Sequence, residues 1–336
     1  MTWLALDIGG ANIKVADGAG FACSQPYALW LRPEGLPQEL RTMIDEAPPC
    51  DHVAVTMTGE LADCFANKTE GVRAILDAVA EAVGGRSTWI YQTDGSLVTP
   101  QQSREEPLLA AASNWHALAC YASRFVDPGA ALMIDIGSTT TDIIPIFDRQ
   151  ACPLGRDDTT RLIHGELVYT GVERSPICAV VRSAPYRGQT IDVAQEFFAT
   201  MLDAYVTLGD FPERSESAHT ADGRPADRPA AMARMARLVC ADTPDFNDED
   251  ARNLAAAAAD EQLQRLAMAI QHVAFRTEER CKSVVVSGVG EFLARRALAE
   301  LDWETPVVSL SERLGAGISK CAPAHALAIL AQERAS

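Results

Sequence analysis

One short pattern occurs twice in this chain and constrains its fold more than any other feature. Residues 4–16 read LALDIGGANIKVA, and residues 133–146 read MIDIGSTTTDIIPI. In each copy an aspartate ends an apolar run, Ile-Gly follows, and a second apolar run comes after small polar residues. Apolar runs on both sides of such a turn predict a β-hairpin. Two hairpins so far apart indicate two related α/β domains, because the units of a solenoid recur every ~20–50 residues.

The turn-forming stretches divide the chain at the same place. The sequence DPG at 127–129 is a turn after which the hairpin pattern starts again. We predict a first domain formed by residues 1–128 plus 321–336 and a second formed by residues 129–320. Residues 209–229 are polar, rich in glycine and proline, and aperiodic, which predicts a mobile loop or an insertion.

Apolar spacing and turn signals place the remaining elements. Strands are expected near residues 27–31, 51–59, 89–93, 165–172, 284–287 and 306–310. Helices are expected at residues 36–46, 69–83, 107–125, 192–208, about 250–280, 290–298 and along the C-terminal apolar stretch.

Composition excludes several classes of function. The formal net charge is −17, which argues against nucleic acid and anionic membranes as partners, because phosphate backbones require a basic footprint. The nine cysteines form no CxxC pair, so we expect reduced thiols in a cytoplasmic protein. The chain passes directly into a strand and has no apolar run of ~20 residues, so neither a signal peptide nor a membrane span is expected.

Both hairpins have the composition of phosphate-binding loops. Glycines let backbone N–H groups point at an anion, and hydroxyl, amide and ammonium groups add donors. The candidates are Gly9, Gly10, Asn12, Lys14, Gly137, Ser138, Thr139 and Thr140. Asp7 and Asp135, which end the first strands, are candidate Mg²⁺ ligands, because Mg²⁺ takes one or two carboxylates together with phosphate oxygens. Taken singly, each hairpin also fits an ordinary turn.

A third glycine-containing element lies near the C-terminus. Residues 284–292, VVVSGVGEF, predict a strand, a turn through Gly288 and Gly290, and a helix. Such a unit suits the approach of a nucleotide or another flat ligand, and it also suits a plain tight turn. The third glycine of a dinucleotide-binding fingerprint is absent, and no Walker loop occurs.

These three elements, in this order, resemble the actin, heat-shock-protein and sugar-kinase superfamily. The resemblance covers nearly the whole chain. It implies an α/β fold of two ribonuclease-H-like, actin-like domains with a ligand cleft between them. It also makes ATP a ligand to consider.

Longer stretches resemble one branch of that superfamily, the hydantoinase/oxoprolinase-like group linked to tetrahydromethanopterin-dependent one-carbon transfer. They are TMTGELADCF (56–65), NKTEGV (67–72), AASNWHALA (111–119) and RLIHGELVYTGVERSPICAV (161–180). The resemblance implies a transferase of methanofuran or methylofuran biosynthesis. Such an enzyme joins an aminomethyl-furanmethyl diphosphate to the phenol of a glutamyl-tyramine or tyrosine-type acceptor and releases diphosphate. The implied chemistry needs Mg²⁺ and small-molecule substrates but does not require ATP.

A phenol has a pKa near ~10 and needs a general base to become a good nucleophile. Candidates are Asp142 after the second hairpin turn, Glu60 after an apolar strand, and Glu166 and His164 in the HGELVYTG stretch. Each of these residues also fits a salt bridge or a helix cap.

Three further residues are candidates for substrate binding. Arg161 and Arg174 suit an anionic group of the acceptor, or else a solvated surface. Asn114, among alanines, needs a hydrogen-bond partner in the protein or the ligand. A kinase using ATP and a nucleotide sensor without turnover remain alternatives, and the oligomeric state is open, with a homodimer among the options.

Overall fold

The computed structural model describes residues 2–277 and 279–334. The outer ends of the first predicted domain, at residues 1, 335 and 336, therefore lie outside the described part, as does Glu278. The first half forms one sheet with the order β3-β2-β1-β4-β5-β6. Its strands are β1 (Trp3–Ile8), β2 (Asn12–Ala16), β3 (Ala22–Pro26), β4 (His52–Met57), β5 (Ser87–Tyr91) and β6 (Leu97–Val98).

The second half repeats this arrangement. Its strands are β7 (Ala130–Ile136), β8 (Thr141–Phe147), β9 (Gln150–Ala151), β10 (Leu167–Val168), β11 (Ser183–Tyr186), β12 (Gln189–Asp192), β13 (Ser283–Ser287) and β14 (Val307–Ser309). The main sheet has the order β10-β8-β7-β13-β14, while β9 pairs with β8 and β11–β12 form a separate ribbon. In both sheets an antiparallel hairpin lies beside a parallel crossover strand. The prediction of two α/β domains, each built on one hairpin, is confirmed.

Helices cover the sheets and lie between them. In the first half these are α1 (Leu36–Glu46), α2 (Lys68–Ala82), α3 (Pro100–Glu105) and α4 (Asn114–Ala122). In the second half they are α5 (Asp158–Ile163), α6 (Ile177–Val180), α7 (Met201–Leu208), α8 (Arg228–Leu238), α9 (Asp248–Ala274), α10 (Glu291–Glu300), α11 (Leu310–Leu314) and α12 (Ala316–Ser319), and α13 (Ala322–Arg334) ends the chain.

Helices α4 and α13 join the two halves. Leu118 of α4 is buried in one apolar cluster with Met133 of the second sheet. Ala117 of α4 and Leu327 of α13 are buried in another cluster with Ala5 of the first sheet. Small residues on these helices let both sheets approach them closely, so the ends of the two hairpins meet above this layer. The exact boundaries at residues 128 and 321 stay predictions.

Four sequence expectations are wrong in detail. The strand expected at 27–31 is β3 at Ala22–Pro26, and 27–31 lies in turns. The helix expected at 107–125 is interrupted near Ala112, whose φ of 48° is left-handed, and α4 starts at Asn114. The strand expected at 165–172 shrinks to β10, and the helix expected at 192–208 shrinks to α7. Turn formation overrode local apolar spacing in each case.

The stretch 209–229 contains no regular helix before α8 begins at Arg228, but it is anchored at its centre. Asp222 accepts a hydrogen bond of 3.0 Å from the buried Arg234, which also pairs with the buried Asp203 at 2.7 Å. Arg214 reaches Glu173 at 3.2 Å. No described helix is long and apolar enough to cross a membrane.

Candidate active site

The tips of the two hairpins have the same backbone geometry. The N–H of Gly9 donates to the carbonyl of Asn12 at 3.0 Å, and the N–H of Gly137 donates to the carbonyl of Thr140 at 2.9 Å. A side chain added at Gly10 would meet no atom within 4 Å, so the first tip is open. The predicted phosphate-binding residues therefore occupy two equivalent turns, one in each half.

The strands below the tips place charged residues at equivalent positions. Asp7 pairs in register with Lys14, and Asp135 pairs in register with Asp142. The Lys14 Nζ lies 3.3 Å from an Asp7 carboxylate oxygen. The position that carries a cation in the first hairpin therefore carries an anion in the second.

Lys14 lies between the carboxylates of both halves. Burial lowers its pKa, but Asp7 and Asp135 more than offset this effect, so the pKa is raised above its ordinary value. Burial also raises the pKa of Asp135 to about 6; nearby Asp142 adds to this rise and Lys14 opposes it. The meeting point of the two hairpins thus holds a protonated lysine and several carboxyl groups.

A second cluster of charged residues, centred on Arg161 and Asp158, joins the two halves of the molecule. Arg161 is buried, donates a hydrogen bond to Asp142, and lies 3.5 Å from Asp158. Its guanidinium carbon lies 4.1 Å from the centre of the Trp115 ring. Asp158 also pairs with Lys68 of the first half at 3.3 Å. Carboxylates of the second half therefore hold cations from both halves of the molecule.

The buried carboxyl group of Glu60 lies near the charges of Lys68 and Asp158. Among the described residues, no donor makes a hydrogen bond of normal geometry to either of its oxygens. Burial raises its pKa to about 7, Asp158 adds to the rise, and Lys68 opposes it. Gly71 of α2 packs on the backbone of Glu60 so closely that a methyl group there would overlap it. This packing fixes the backbone of Glu60. Backbone N–H groups of Glu60 and Ala112 oppose the rise in the pKa of its carboxyl group, although neither makes a hydrogen bond of normal geometry to it.

The second half provides an internal comparison for Glu60. The N–H groups of Gly59 and Gly290 each donate to the isoleucine carbonyl that ends the first hairpin strand of their half, at 3.0 and 2.9 Å. Glu60 and Glu291, which follow, are therefore equivalent. Glu291 accepts three hydrogen bonds from the segment 309–311. Glu60 has none of these bonds, although unpaired buried carboxyl groups are costly.

The donor set fits a Mg²⁺ ion that is shared with a ligand. One oxygen of Asp7 is buried without a hydrogen-bond partner among the described residues, and Asp135 lies close by. No described group of three or more His, Cys, Asp or Glu side chains could hold a metal by itself. These donors match an ion that takes one or two carboxylates and completes its shell with phosphate oxygens and water.

Comparison with known proteins shows the family to which this chain belongs. The model of the hydantoinase/oxoprolinase family matches residues 51–334. The chain belongs to the hydantoinase/oxoprolinase family. It is 30% identical, over 98% of both chains, to the (4-{4-[2-(gamma-L-glutamylamino)ethyl]phenoxymethyl}furan-2-yl)methanamine synthase of Methanocaldococcus jannaschii. A synthase of the same name from Methanococcus vannielii is 31% identical over 59% of this chain and 89% of its own.

Solved structures with a similar outline are distant from this family member in sequence. An archaeal actin homologue in complex with ADP is 14% identical, with a TM-score of 0.49 over 99% of this chain and 100% of that one. A polyphosphate/ATP-glucomannokinase from Arthrobacter is 17% identical, with a TM-score of 0.47 over 99% of both chains.

Two predicted catalytic residues of this hydantoinase/oxoprolinase-family chain, Glu166 and His164, take part in hydrogen bonds that connect separate segments of the fold. Glu166 is buried and accepts hydrogen bonds from the N–H groups of Leu154 (2.8 Å) and Gly155 (2.9 Å) and from Arg276 (2.7 Å). Arg276 also donates to the carbonyl of His164. These bonds use the acceptors of Glu166, so the geometry favours a structural role for this residue and gives no support to proton transfer by it.

The predicted substrate residues differ in availability. The two terminal nitrogens of Arg161 are engaged by Asp142 and Asp158, so its charge is already paired with two carboxylates. Arg174 is exposed, and its guanidinium carbon lies 4.8 Å from the centre of the Trp30 ring. Asn114 is half-buried at the first position of α4.

Packing explains the glycines of the predicted ligand segment. Gly288 has a φ of +87°, and a side chain there would overlap the carbonyl of Ile136. A side chain at Gly290 would overlap the Ile136 side chain. Both glycines therefore let β13 close against the second hairpin, and their identity needs no bound ligand.

Sequence reasoning missed three residues of the site. Lys68 and Asp158 form the cross-cleft pair, and Trp30 faces Arg174. Lys68 lies inside the stretch NKTEGV, whose sequence gives no sign of a partner 90 residues away. Trp30 lies in a stretch whose composition predicts a strand, but it occupies a turn.

Removing the charge of Glu166 should destabilise the fold. A Glu166→Gln variant removes the charge that pairs with the half-buried Arg276 and turns an N–H group towards backbone donors. We expect the free energy of unfolding to fall by about 3–5 kcal/mol, measured by denaturant titration. Glu312→Gln, which removes an exposed partner of Arg295, is the control and should cost less than ~1 kcal/mol. A Glu166→Gln variant of unchanged stability but without activity would restore Glu166 as a catalytic candidate.

Proposed function

We propose that this chain is a transferase that forms an ether between a furylmethyl carbon and a phenol oxygen and releases diphosphate. Support comes from the synthase that shares 30% identity over nearly the whole chain, whose name describes a phenoxymethyl-furan product. The observation that carries the proposal is the meeting of two hairpins of the same tip geometry at Lys14, whose ammonium group is stabilised by carboxylates of both halves.

The proposed pathway and the identities of donor and acceptor rest on the family resemblance. We propose a place in methanofuran or methylofuran biosynthesis, with an aminomethyl-furanmethyl diphosphate as donor and a glutamyl-tyramine or tyrosine-type phenol as acceptor. All nine cysteines are free, which fits work in a reducing cytoplasm.

The hairpins would stabilise the leaving group. As the bond between carbon and diphosphate oxygen breaks, negative charge grows on the diphosphate. Backbone N–H groups of the two tips, with the hydroxyls of Ser138, Thr139 and Thr140 and the amide of Asn12, are donors fixed in advance for that charge. Fixed donors lower the barrier because they need no reorganisation during the reaction.

The site carries more negative than positive charge, which favours the binding of a divalent cation. Lys14 faces Asp7 and Asp135, and Arg161 faces Asp142 and Asp158, so carboxylates outnumber cations where a polyanion would bind. We propose that Asp7 and Asp135 hold Mg²⁺, which would offset the charge of the diphosphate.

Glu60 is the proposed general base. Its carboxyl group has a pKa of about 7 and, among the described residues, no side-chain hydrogen-bond donor, so the carboxylate can take the proton of the phenol as the oxygen attacks the furylmethyl carbon. The new C–O bond forms, the bond to diphosphate breaks with its electron pair, and the proton remains on Glu60. Asp142, which Arg161 engages, would orient that arginine.

The direct test is ether formation by the purified protein. Protein, Mg²⁺, aminomethyl-furanmethyl diphosphate and γ-glutamyltyramine should yield the ether by mass spectrometry, with one diphosphate released for each ether. ATP in place of the furan diphosphate should give no phosphorylated acceptor. ATP consumption without ether formation would favour a kinase, and nucleotide binding without turnover would favour a sensor.

If Glu60 is the base, activity should require its ionised form. In wild-type protein kcat should rise with pH through about 7, because the protonated carboxyl group cannot accept a proton. Glu60→Gln should lower kcat by roughly 10²–10⁴-fold and remove this dependence. Glu70→Gln, an exposed carboxyl group in the first turn of α2, is the control. If Asp142→Asn removes the pH dependence while Glu60→Gln keeps it, the base is Asp142.

If Asp7 and Asp135 hold the metal, their amide variants should bind it more weakly. Asp7→Asn and Asp135→Asn should each raise the Mg²⁺ concentration for half-maximal activity by about tenfold or more, since a neutral amide is a poorer ligand. The exposed Asp127→Asn is the control. Unchanged Mg²⁺ dependence in both variants would contradict the metal role.

A further inference from the structure

A tryptophan and an arginine face each other over the two hairpin tips. The N–H of Leu29 donates to the carbonyl of Gly10 at 2.9 Å, and the N–H of Glu173 donates to that of Ser138 at 3.1 Å. Gly10 and Ser138 occupy equivalent positions in the two hairpins. The N–H of Arg174 also donates to the carbonyl of Ser138, at 2.8 Å, so a turn is anchored to each tip by backbone hydrogen bonds.

Trp30 and Arg174 are the next residues of these two turns. Backbone hydrogen bonds to the two tips thus hold these residues on opposite sides of the cleft. The Arg174 guanidinium carbon lies 4.8 Å from the Trp30 ring centre, which is within the range of a cation–π contact. This contact directly bridges the turns that hold the two candidate phosphate loops.

Arg174 differs from the other cations of the cleft. Lys14 pairs with Asp7, and Arg161 pairs with Asp142. Lys68 is likewise paired, with Asp158. Among the described residues, no carboxylate lies within ion-pair distance of Arg174, which instead stacks on an indole ring. An incoming anion can engage this arginine without separating it from a carboxylate.

We propose that Trp30 and Arg174 form a clamp over the diphosphate of the donor. In the free protein Arg174 rests on the Trp30 ring. When the donor binds, the guanidinium exchanges this contact for charge-assisted hydrogen bonds to diphosphate oxygens, and the released indole packs on the furan ring. The ligand class is a heteroaromatic methyl diphosphate. The inference rests on the proposed function for the identity of the donor, and on the geometry for the anion.

The exchange is favourable on chemical grounds. A guanidinium presents paired N–H groups that match phosphate oxygens, and such bonds are stronger than bonds between neutral groups. A cation–π contact at an exposed site contributes less. The cation–π contact with Trp30 keeps the Arg174 side chain close to the second tip until an anion replaces the indole.

Inorganic diphosphate with Mg²⁺ is the probe, because it tests the clamp without turnover. Calorimetry should show that Arg174→Gln binds diphosphate roughly tenfold or more weakly than wild type, and that Arg174→Lys recovers part of this loss. Arg265→Gln, which removes an exposed arginine of α9, should bind as wild type does. Tryptophan emission should change on diphosphate binding in wild type, and Trp30→Phe should lose this change while Trp303→Phe retains it.

Steady-state kinetics separates the clamp from binding of the acceptor. Arg174→Gln should raise KM for the furan diphosphate and leave KM for the phenolic acceptor unchanged. Unaltered diphosphate binding in Arg174→Gln would overturn the clamp, and a rise confined to the acceptor KM would assign Arg174 to the acceptor instead. Diphosphate binding that depends on Arg174 in a protein that forms no ether would support the clamp and contradict the proposed reaction.

Discussion

The ammonium group of Lys14 is the interaction on which the two halves of this molecule depend. It comes from the first hairpin, contacts Asp7 of its own half at 3.3 Å, and is stabilised by Asp135 of the other half. Without this positive charge, buried carboxyl groups would face each other where the sheets meet, and their repulsion would raise their pKa values further and favour the protonated forms. The same charge makes the meeting point suitable for an anion, so the interaction that closes the fold also defines its ligand.

Duplication explains how one chain builds an asymmetric site from symmetric parts. Equivalent positions have diverged at two places: Lys14 against Asp142, and Glu60 against Glu291. In the second pair, Glu291 is held by the serine segment 309–311, whereas Glu60 has no such partners among the described residues. A backbone that fixes both positions equally allows one side chain to support the structure and the other to remain reactive.

The sequence predicted the backbone of the site better than its chemistry. Both hairpins and their aspartates were found because their pattern repeats at fixed register. The second repeat, VAVTMTGE at 53–60 and VVVSGVGE at 284–291, is equally visible in the sequence and would have shown the equivalence of Glu60 and Glu291. The pairing of Glu166 with Arg276 could not be foreseen, because it joins segments 110 residues apart in the chain.

Burial of the proposed base bears on how such an enzyme would choose its nucleophile. A furylmethyl diphosphate is an activated electrophile that water can also attack. Glu60 is buried, and the Lys68–Asp158 pair, whose charges act on its carboxyl group, joins the two halves beside it. A phenol that fills the cleft would displace water from the base and meet it at close range. Closure would then favour ether formation over hydrolysis, because the base is screened from water until the acceptor occupies the site.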